Sequence, residues 1–244
     1  MVNTILFDLD GTLLQFSQKE FLDKYFFELT TALAKTGLDA KKTVDAVWAG
    51  TMAMAKNDGT VLNRVRFWKK LSEALELSDD EAVKIEAICD SFYVNEFDRI
   101  KVVLRPNDAG ARLVHTMKAK GYEVVLATNP FFPLCAVETR LAWIGLKSSD
   151  FALVTHYGNS SFCKPNPAYY NEVMTKIGKT PQQCFMAGNN PTEDMVPGTM
   201  GAETFLVTDC LENEAGLDIS PFRKGTLEDL TAHLTALPDV VEIV

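Results

Sequence analysis

Short apolar runs alternate with amphipathic helical patterns along much of this 244-residue chain. The runs are rich in β-branched and aromatic residues, and they comprise residues 4–7, 123–128, 152–155, 184–187 and 204–208. Continuous apolar runs of this length are typical of strands that are buried on both faces of a parallel sheet. The helical patterns between them end at Gly121, Gly145 and Gly178, and a last helix is expected near residues 227–237. The alternation predicts an α/β fold with a doubly wound, mostly parallel, Rossmann-like sheet.

Residues 16–99 contain no strand pattern and predict four helices instead. Apolar residues at helical spacing within residues 21–33 and within residues 44–55 form the faces of the first two helices. The face of the third helix consists of Val61, Val65, Trp68 and Leu71. A capping box of Ser78 and Glu81 opens the fourth helix. We therefore predict two units, an α/β core of residues 1–15 and 100–244 and an inserted four-helix cap domain of residues 16–99.

Composition excludes several classes of protein. The net charge of −9, from 33 acidic and 24 basic residues, argues against binding to nucleic acid or to an anionic membrane surface. No apolar run approaches the roughly 18 residues that a membrane span needs, and no secretion signal opens the chain. The five cysteines are odd in number and form no CxxC pair: Cys89, Cys135, Cys163, Cys184 and Cys210. A disulfide scaffold is therefore disfavoured, and we expect a cytoplasmic protein.

Two aspartates follow the first predicted strand directly. They belong to the run DLDGT, residues 8–12, in which Asp8 and Asp10 are two positions apart. In extended backbone, residues i and i+2 point to the same side, so both carboxylates can reach one site while Leu9 faces the core. Ligands bind at this edge of open α/β sheets. Neighbouring carboxylates repel each other unless a cation or a proton lies between them, so the motif favours a functional site over an ordinary polar turn.

Three further polar segments are predicted to meet the same edge of the sheet. Thr128 and Asn129 follow the second strand, Lys164 opens the run KPNP before a helix, and residues 188–194, GNNPTED, follow the fourth strand. Singly, each has an ordinary explanation as a helix cap, a surface lysine or a polar turn.

Together and in this order, the four segments resemble the motifs of the haloacid dehalogenase superfamily of hydrolases. Those motifs are DxDGT, a threonine or serine after the second strand, a lysine often followed by proline, and GDxxxxD. The resemblance covers essentially the whole chain, and the helical insertion resembles the cap that this family carries between its first and second motifs.

The resemblance implies roles for five residues. Asp8 attacks phosphorus and forms an aspartyl-phosphate, which is covalent catalysis by a carboxylate. Asp10 protonates the leaving oxygen and then deprotonates the water that hydrolyses the intermediate. Thr128 and the Asn129 amide bind phosphate oxygens, and Lys164 neutralises their charge.

The resemblance also implies a Mg²⁺ cofactor, held by the Asp8 carboxylate, the Asp10 backbone carbonyl and the fourth motif, with Asn189 and Asp194 as the candidate ligands there. This chain departs from the family because Asn189 stands where GDxxxxD has its first aspartate. An amide oxygen ligates Mg²⁺ but brings no charge. We therefore predict a working site with weaker Mg²⁺ affinity, in which Asp194 orients Lys164 or a metal-bound water and Asn189→Asp tightens binding. If position 189 is not a ligand, the role falls to Asp194 or Glu193.

Asp10 favours a phosphatase or phosphomutase over a dehalogenase, because a departing halide needs no proton. The leading interpretation is a Mg²⁺-dependent phosphatase whose partner is a small phosphorylated metabolite, present as a monomer or a homodimer. A phosphomutase remains open, as does a non-catalytic protein that binds a phosphorylated metabolite. Specificity is expected to reside in the cap, with the turn at residues 56–60 and an apolar wall of Phe131 and Phe132 as candidates.

Overall fold

The fold is built on one sheet of six parallel strands, in the order β3-β2-β1-β4-β5-β6. This computed structural model describes residues 1–105 and 107–240. The strands are β1 (Thr4–Phe7), β2 (Glu123–Leu126), β3 (Leu153–Val154), β4 (Cys184–Gly188), β5 (Glu203–Val207) and β6 (Lys224–Gly225). The first five strands coincide with the predicted apolar runs. The sixth is a polar pair at the edge of the sheet, and no apolar run marks it.

Both faces of the sheet are covered, because alternate residues of each strand enter different apolar clusters. Ile5 and Phe7 of β1 pack into a large cluster that also contains the helices inserted after β1. Leu6 points the other way, into a smaller cluster with Tyr169 and Tyr170. The predicted doubly wound, parallel α/β sheet is confirmed.

Four long helices lie between β1 and β2, as predicted. They are α1 (Gln18–Leu33), α2 (Ala40–Ala55), α3 (Asn63–Leu75) and α4 (Asp79–Asn95). The capping box that opens α4 is present, since the Ser78 side chain accepts from the Glu81 N–H and the Glu81 side chain accepts from the Ser78 N–H. A 3-10 helix, Phe97–Val103, follows α4 and crosses the expected boundary at residues 99 and 100.

The predicted apolar face of α3 is only partly right, because Leu71 is buried and Trp68 packs against the core, whereas Val61 and Val65 are exposed. Val61 precedes the helix, and Val65 is 50% exposed. The buried positions follow one another at a spacing of four residues: Asn63, Phe67, Leu71 and Leu75. Polar Asn63 begins this buried face, which is why counting apolar side chains selected a neighbouring stripe of the helix.

The remaining helices pack on the sheet. They are α5 (Ala109–Ala119), α6 (Leu134–Trp143), α7 (Pro167–Lys176), α8 (Val196–Thr199) and α9 (Leu227–Thr235). Gly121, Gly145 and Gly178 follow α5, α6 and α7 with positive φ angles, as expected of helix stops. Within the described ranges, no helix is long and apolar enough to cross a membrane.

Candidate active site

Asp8 and Asp10 lie at the carboxyl end of β1, the central strand on which the site is built. The Asp8 N–H donates to the Ala187 carbonyl, which extends the pairing of β1 with β4 by one step. Gly11 follows with a φ of +80°, and a Cβ there would meet the Asn189 amide at 2.1 Å. Glycine is therefore required at position 11 for its backbone conformation and for the close approach of the β4 loop.

The Asp8 carboxylate is held on both oxygens. Lys164 Nζ lies 2.9 Å from Oδ1, and Thr12 Oγ1 donates to Oδ2 over 3.1 Å. Lys164 also donates to Asp194 Oδ1 over 2.6 Å and is completely buried. Burial alone would lower the pKa of the Lys164 ammonium, but the carboxylates of Asp194 and Asp8 raise this pKa well above its usual range. Lys164 is therefore a permanent cation beside Asp8.

Asp10 has a different environment from Asp8. Its Oδ2 pairs with the guanidinium of Arg140, a side chain of α6 that is 1% exposed. Its Oδ1 is buried and has no hydrogen-bond partner among the described residues. Burial raises the pKa of Asp10 despite the lowering effect of Arg140, and the nearby Asp8 charge raises it further. One carboxylate is thus fixed beside a lysine, while the other has an unpartnered oxygen and a pKa above its ordinary value.

Thr128 and Asn129 follow β2 and face the same space. The Thr128 carbonyl accepts hydrogen bonds from Thr155 Oγ1 and Tyr169 Oη, which fix the backbone at this point. Asn129 Nδ2 donates to Glu193 Oε2 over 2.9 Å, and its buried Oδ1 has no partner within the described ranges.

The loop after β4 carries the altered fourth motif. Asn189 Oδ1 accepts from Thr12 Oγ1 over 3.3 Å, and its Nδ2 donates to the Cys210 carbonyl over 2.7 Å. These bonds turn the amide oxygen toward Asp8. Asp194 accepts from Lys164 with one oxygen and from the Asn190 N–H with the other, over 2.9 Å. Burial raises the pKa of Asp194, and the nearby Lys164 ammonium partly offsets this increase.

All the predicted site residues except Lys164 line one polar cavity of about 110 Å³, and Lys164 contacts it through Asp8 and Asp194. The predicted residues lining it are Asp8, Asp10, Thr128, Asn129, Asn189 and Asp194. The turn at residues 56–60 does not line this cavity, and a Cβ at Gly59 would instead meet the ring of Phe162 at 2.2 Å.

The structure adds two charged residues that sequence analysis missed. One is Arg140. The sequence indicates it only by a charged residue on the otherwise apolar face of α6, beside Val137 and Leu141. Glu212 is the other. It lines the polar cavity, and burial together with the charges of Asp8 and Asp10 raises its pKa to about 7. Glu212 lies in a loop after β5, where no sequence pattern distinguishes it from a surface acid.

The sheet thus presents two carboxylates and a buried lysine at the carboxyl end of β1, an arrangement that covalent catalysis by a carboxylate could use. The family model described as haloacid dehalogenase-like hydrolase matches residues 2–198. The chain belongs to this family. A sequence search of curated proteins finds no match.

Three solved structures share the fold. A HAD phosphatase from Thermococcus onnurineus has a TM-score of 0.62 and 15% identity, over 98% of this chain and 100% of that one. A β-phosphoglucomutase from Clostridium difficile has a TM-score of 0.57 and 16% identity, over 94% of this chain and 93% of that one. An L-2-haloacid dehalogenase from Xanthobacter autotrophicus has a TM-score of 0.55 and 14% identity, over 97% of this chain and 100% of that one. At these identities the likeness shows the fold, and the three activities differ.

Proposed function

We propose that this protein is a Mg²⁺-dependent phosphatase that acts on a small phosphorylated metabolite through an aspartyl-phosphate on Asp8. The observation that carries the proposal is the contrast between the two aspartates at the end of β1. Asp8 is fixed 2.9 Å from a buried ammonium, whereas Asp10 is raised in pKa by burial and has a free oxygen. A phosphatase of this type needs a nucleophile and an acid, and the two environments separate these roles.

In the first half-reaction, an Asp8 oxygen attacks phosphorus and the bond between phosphorus and the leaving oxygen breaks. Asp10 donates its proton to that oxygen, so that an alcohol departs rather than an alkoxide. In this proposal Thr128 and the Asn129 backbone amide bind the phosphoryl oxygens, and Lys164 offsets their charge.

In the second half-reaction, the Asp10 carboxylate removes a proton from the attacking water, which hydrolyses the aspartyl-phosphate and releases inorganic phosphate. The Arg140 contact holds Asp10 in one place through both halves. The proton that Asp10 gives to the alcohol is recovered from water, so the enzyme returns to its starting state.

The donor atoms around Asp8 fit a hard divalent cation. The carboxylate oxygens of Asp8, the amide oxygen of Asn189 and the unpartnered buried oxygens of Asp10 and Asn129 belong to residues that line the same cavity, and oxygens are the ligands that such a cation prefers. Asp8, the Asp10 backbone carbonyl and Asn189 would hold Mg²⁺, which supplies positive charge for the phosphoryl oxygens. Asp194 accepts from Lys164 with one oxygen and from the Asn190 N–H with the other, and in this proposal it positions Lys164 beside Asp8. Among the described residues, no group of three His, Cys, Asp or Glu side chains is arranged to hold a metal.

The test is hydrolysis of p-nitrophenyl phosphate with and without Mg²⁺. We expect Asp8→Asn to abolish turnover, because the amide is nearly isosteric but is a poor nucleophile. Asp10→Asn should slow turnover about 10²–10⁴-fold. The matched control is Asp45→Asn, on an exposed face of α2, which should retain full activity. Mass spectrometry of the wild type during turnover should find the phosphoryl adduct on Asp8. Retention of wild-type activity in Asp8→Asn would refute the covalent mechanism.

The alternatives give different products. A phosphomutase interconverts hexose phosphates without releasing inorganic phosphate, a dehalogenase releases halide from 2-chloropropionate, and a non-catalytic protein binds phosphate esters without turnover. The cytoplasmic location, the absence of nucleic-acid and membrane partners, and a monomeric or homodimeric state stay predictions from the sequence.

A further inference from the structure

An apolar cavity of about 140 Å³ lies inside the helical insertion, against the end of β1. Each of the four inserted helices contributes to its wall, through residues such as Tyr25 of α1, Val47 of α2, Leu71 of α3 and Ile85 of α4. An engineered protein cavity of roughly this volume, about 150 Å³ and lined by apolar side chains, stays dry and binds benzene. The cavity can therefore hold an apolar group of about that size.

Several polar atoms in the wall are engaged within the protein, while the buried Trp68 Nε1 has no hydrogen-bond partner among the described residues. The hydroxyls of Tyr25 and Tyr93 hydrogen-bond to each other over 2.8 Å. Thr43 and Thr51 donate to the carbonyls of Asp39 and Val47, one turn earlier in α2. A sugar would bring several hydroxyls into this space with few partners, and each hydroxyl buried without a partner weakens binding by roughly tenfold or more.

The apolar cavity adjoins the polar one. Asp10, Gln18, Phe131 and Phe132 line both of them. Asp10 is the single carboxylate among the residues that line the apolar cavity, and it lies at the junction. Phe132 is held there by the Arg140 guanidinium, 4.6 Å from the centre of its ring.

We propose that the substrate is a phosphate monoester of an apolar alcohol, whose organic group of about the size of a benzene ring occupies this cavity. The inference rests on the proposed function, because it places the leaving oxygen beside Asp10. The bond between phosphorus and this oxygen breaks, the Asp10 proton moves to the oxygen, and the alcohol is left in the apolar cavity. Water then releases the phosphate, so the products are the alcohol and inorganic phosphate.

The sharpest comparison uses two esters of similar shape. Cyclohexylmethyl phosphate and glucose 6-phosphate both carry a six-membered ring on a primary phosphate, but only the second carries ring hydroxyls. We expect kcat/KM to be at least about 100-fold higher for cyclohexylmethyl phosphate, because the hydroxyls lose their water without gaining partners. Equal values, or a preference for glucose 6-phosphate, would overturn the inference while leaving the phosphatase proposal intact.

A cavity-filling variant tests the location. Thr51→Phe places a ring in the wall, and Met52→Phe places the same ring on the exposed face of α2, where Met52 is 49% exposed. We expect Thr51→Phe to lower kcat/KM for cyclohexylmethyl phosphate at least tenfold more than kcat/KM for methyl phosphate, since the methyl group does not reach the cavity. Met52→Phe should behave as the wild type. Equal losses on both substrates would refute the placement.

Binding to the wild type separates this inference from catalysis. Calorimetry should find that benzylphosphonate, which is not hydrolysed, binds at least tenfold more tightly than methylphosphonate. If the ring adds no affinity, the inference is wrong even where esters are hydrolysed. If the ring adds affinity and no ester is hydrolysed, the phosphatase proposal fails and the apolar site stands.

Discussion

Asp10 depends on a single buried partner for one of its oxygens. This partner is the Arg140 guanidinium. Its Nε donates to the Ala136 carbonyl of the same helix, and the guanidinium lies over the ring of Phe132. A charge this deeply buried is stable only when it is paired. The pair with Arg140 therefore fixes the position of Asp10, the proposed acid. Asp8 differs because it has two partners, Lys164 and Thr12.

Replacing Arg140 by Met should leave Asp10 facing an apolar side chain. We expect Arg140→Met to lower the free energy of unfolding by about 3 kcal/mol, the low end for a broken buried pair, because the Asp10 side chain is 21% exposed. The double variant Asp10→Asn with Arg140→Met should be more stable than the sum of the two single variants predicts. Urea denaturation of the four proteins measures this coupling, and simple additivity would mean that the pair contributes nothing.

Asn189 is the uncharged side chain among the proposed Mg²⁺ ligands. We expect Asn189→Asp to bind Mg²⁺ more tightly, because it adds a negative charge to an oxygen ligand. The new carboxylate also replaces Nδ2, which donates to the Cys210 carbonyl, so the metal-free variant should melt at a lower temperature. Mg²⁺ calorimetry and thermal melts without metal check both effects.

Asn190→Asp is the matched control for this substitution. The Asn190 side-chain oxygen accepts from the N–H groups of Thr192 and Glu193, a role that a carboxylate retains. An equal gain in Mg²⁺ affinity in both variants would show a general effect of charge and would remove position 189 from the ligands.

Helix α3 is tied to the segment that leads to Lys164. Asn63, at the first turn of the helix, donates through Nδ2 to the Phe162 carbonyl over 3.1 Å and accepts from Asn57 Nδ2 over 2.8 Å. Its backbone N–H donates to the Ser160 carbonyl. A polar side chain therefore takes the first position of a buried helix face, where it connects the insertion to the core.

Removal of this link should be costly. We expect Asn63→Ala to lower the free energy of unfolding by about 2 kcal/mol, because the Phe162 carbonyl and the Asn57 amide lose a buried partner. The comparison is Asn95→Ala at the exposed end of α4, where Nδ2 donates to the Ser91 carbonyl and water can replace it. Equal losses in the two variants under urea denaturation would show that the Asn63 contacts contribute no more than an exposed hydrogen bond.

Local patterns predicted most elements and part of the site. Strands β1 to β5 and the glycine stops of the helices follow from apolar runs and backbone conformation, which short sequence windows contain. Arg140 and Glu212 were missed because their importance comes from neighbours more than 50 positions away, such as Asp10 and Asp8. Strand β6 was missed because this two-residue edge strand contains no apolar run. Part of the buried face of α3 was missed because an asparagine occupies its first buried position.

The insertion and the sheet share one apolar core. A single cluster of buried residues runs from the β1 side chains to the inserted helices. Aromatic rings bridge the two parts: Phe21 of α1 lies 6.0 Å from Phe132, and Phe97 lies 6.0 Å from Trp143 of α6. The predicted core and cap are therefore packed against each other in this structure, with the polar and apolar cavities enclosed where they meet.

The stability of the whole molecule should depend on pH through His156, which lies in the loop after β3. Burial lowers the pKa of His156, Lys176 lowers it further, and Glu138 raises it by less. Its Nδ1 accepts from the Gly158 N–H over 3.1 Å, a bond that only the unprotonated nitrogen can make. Below the ordinary histidine value of about 6.5, the unfolded chain therefore binds more protons at this residue than the folded protein does. Stability falls under these conditions as the pH is lowered. We expect the difference in unfolding free energy between wild type and His156→Gln to move against the wild type from pH 7 to pH 5, because glutamine does not titrate and the remaining groups cancel. Urea denaturation of both proteins across this range measures the difference, and a constant value would show that His156 titrates alike in the folded and unfolded chains.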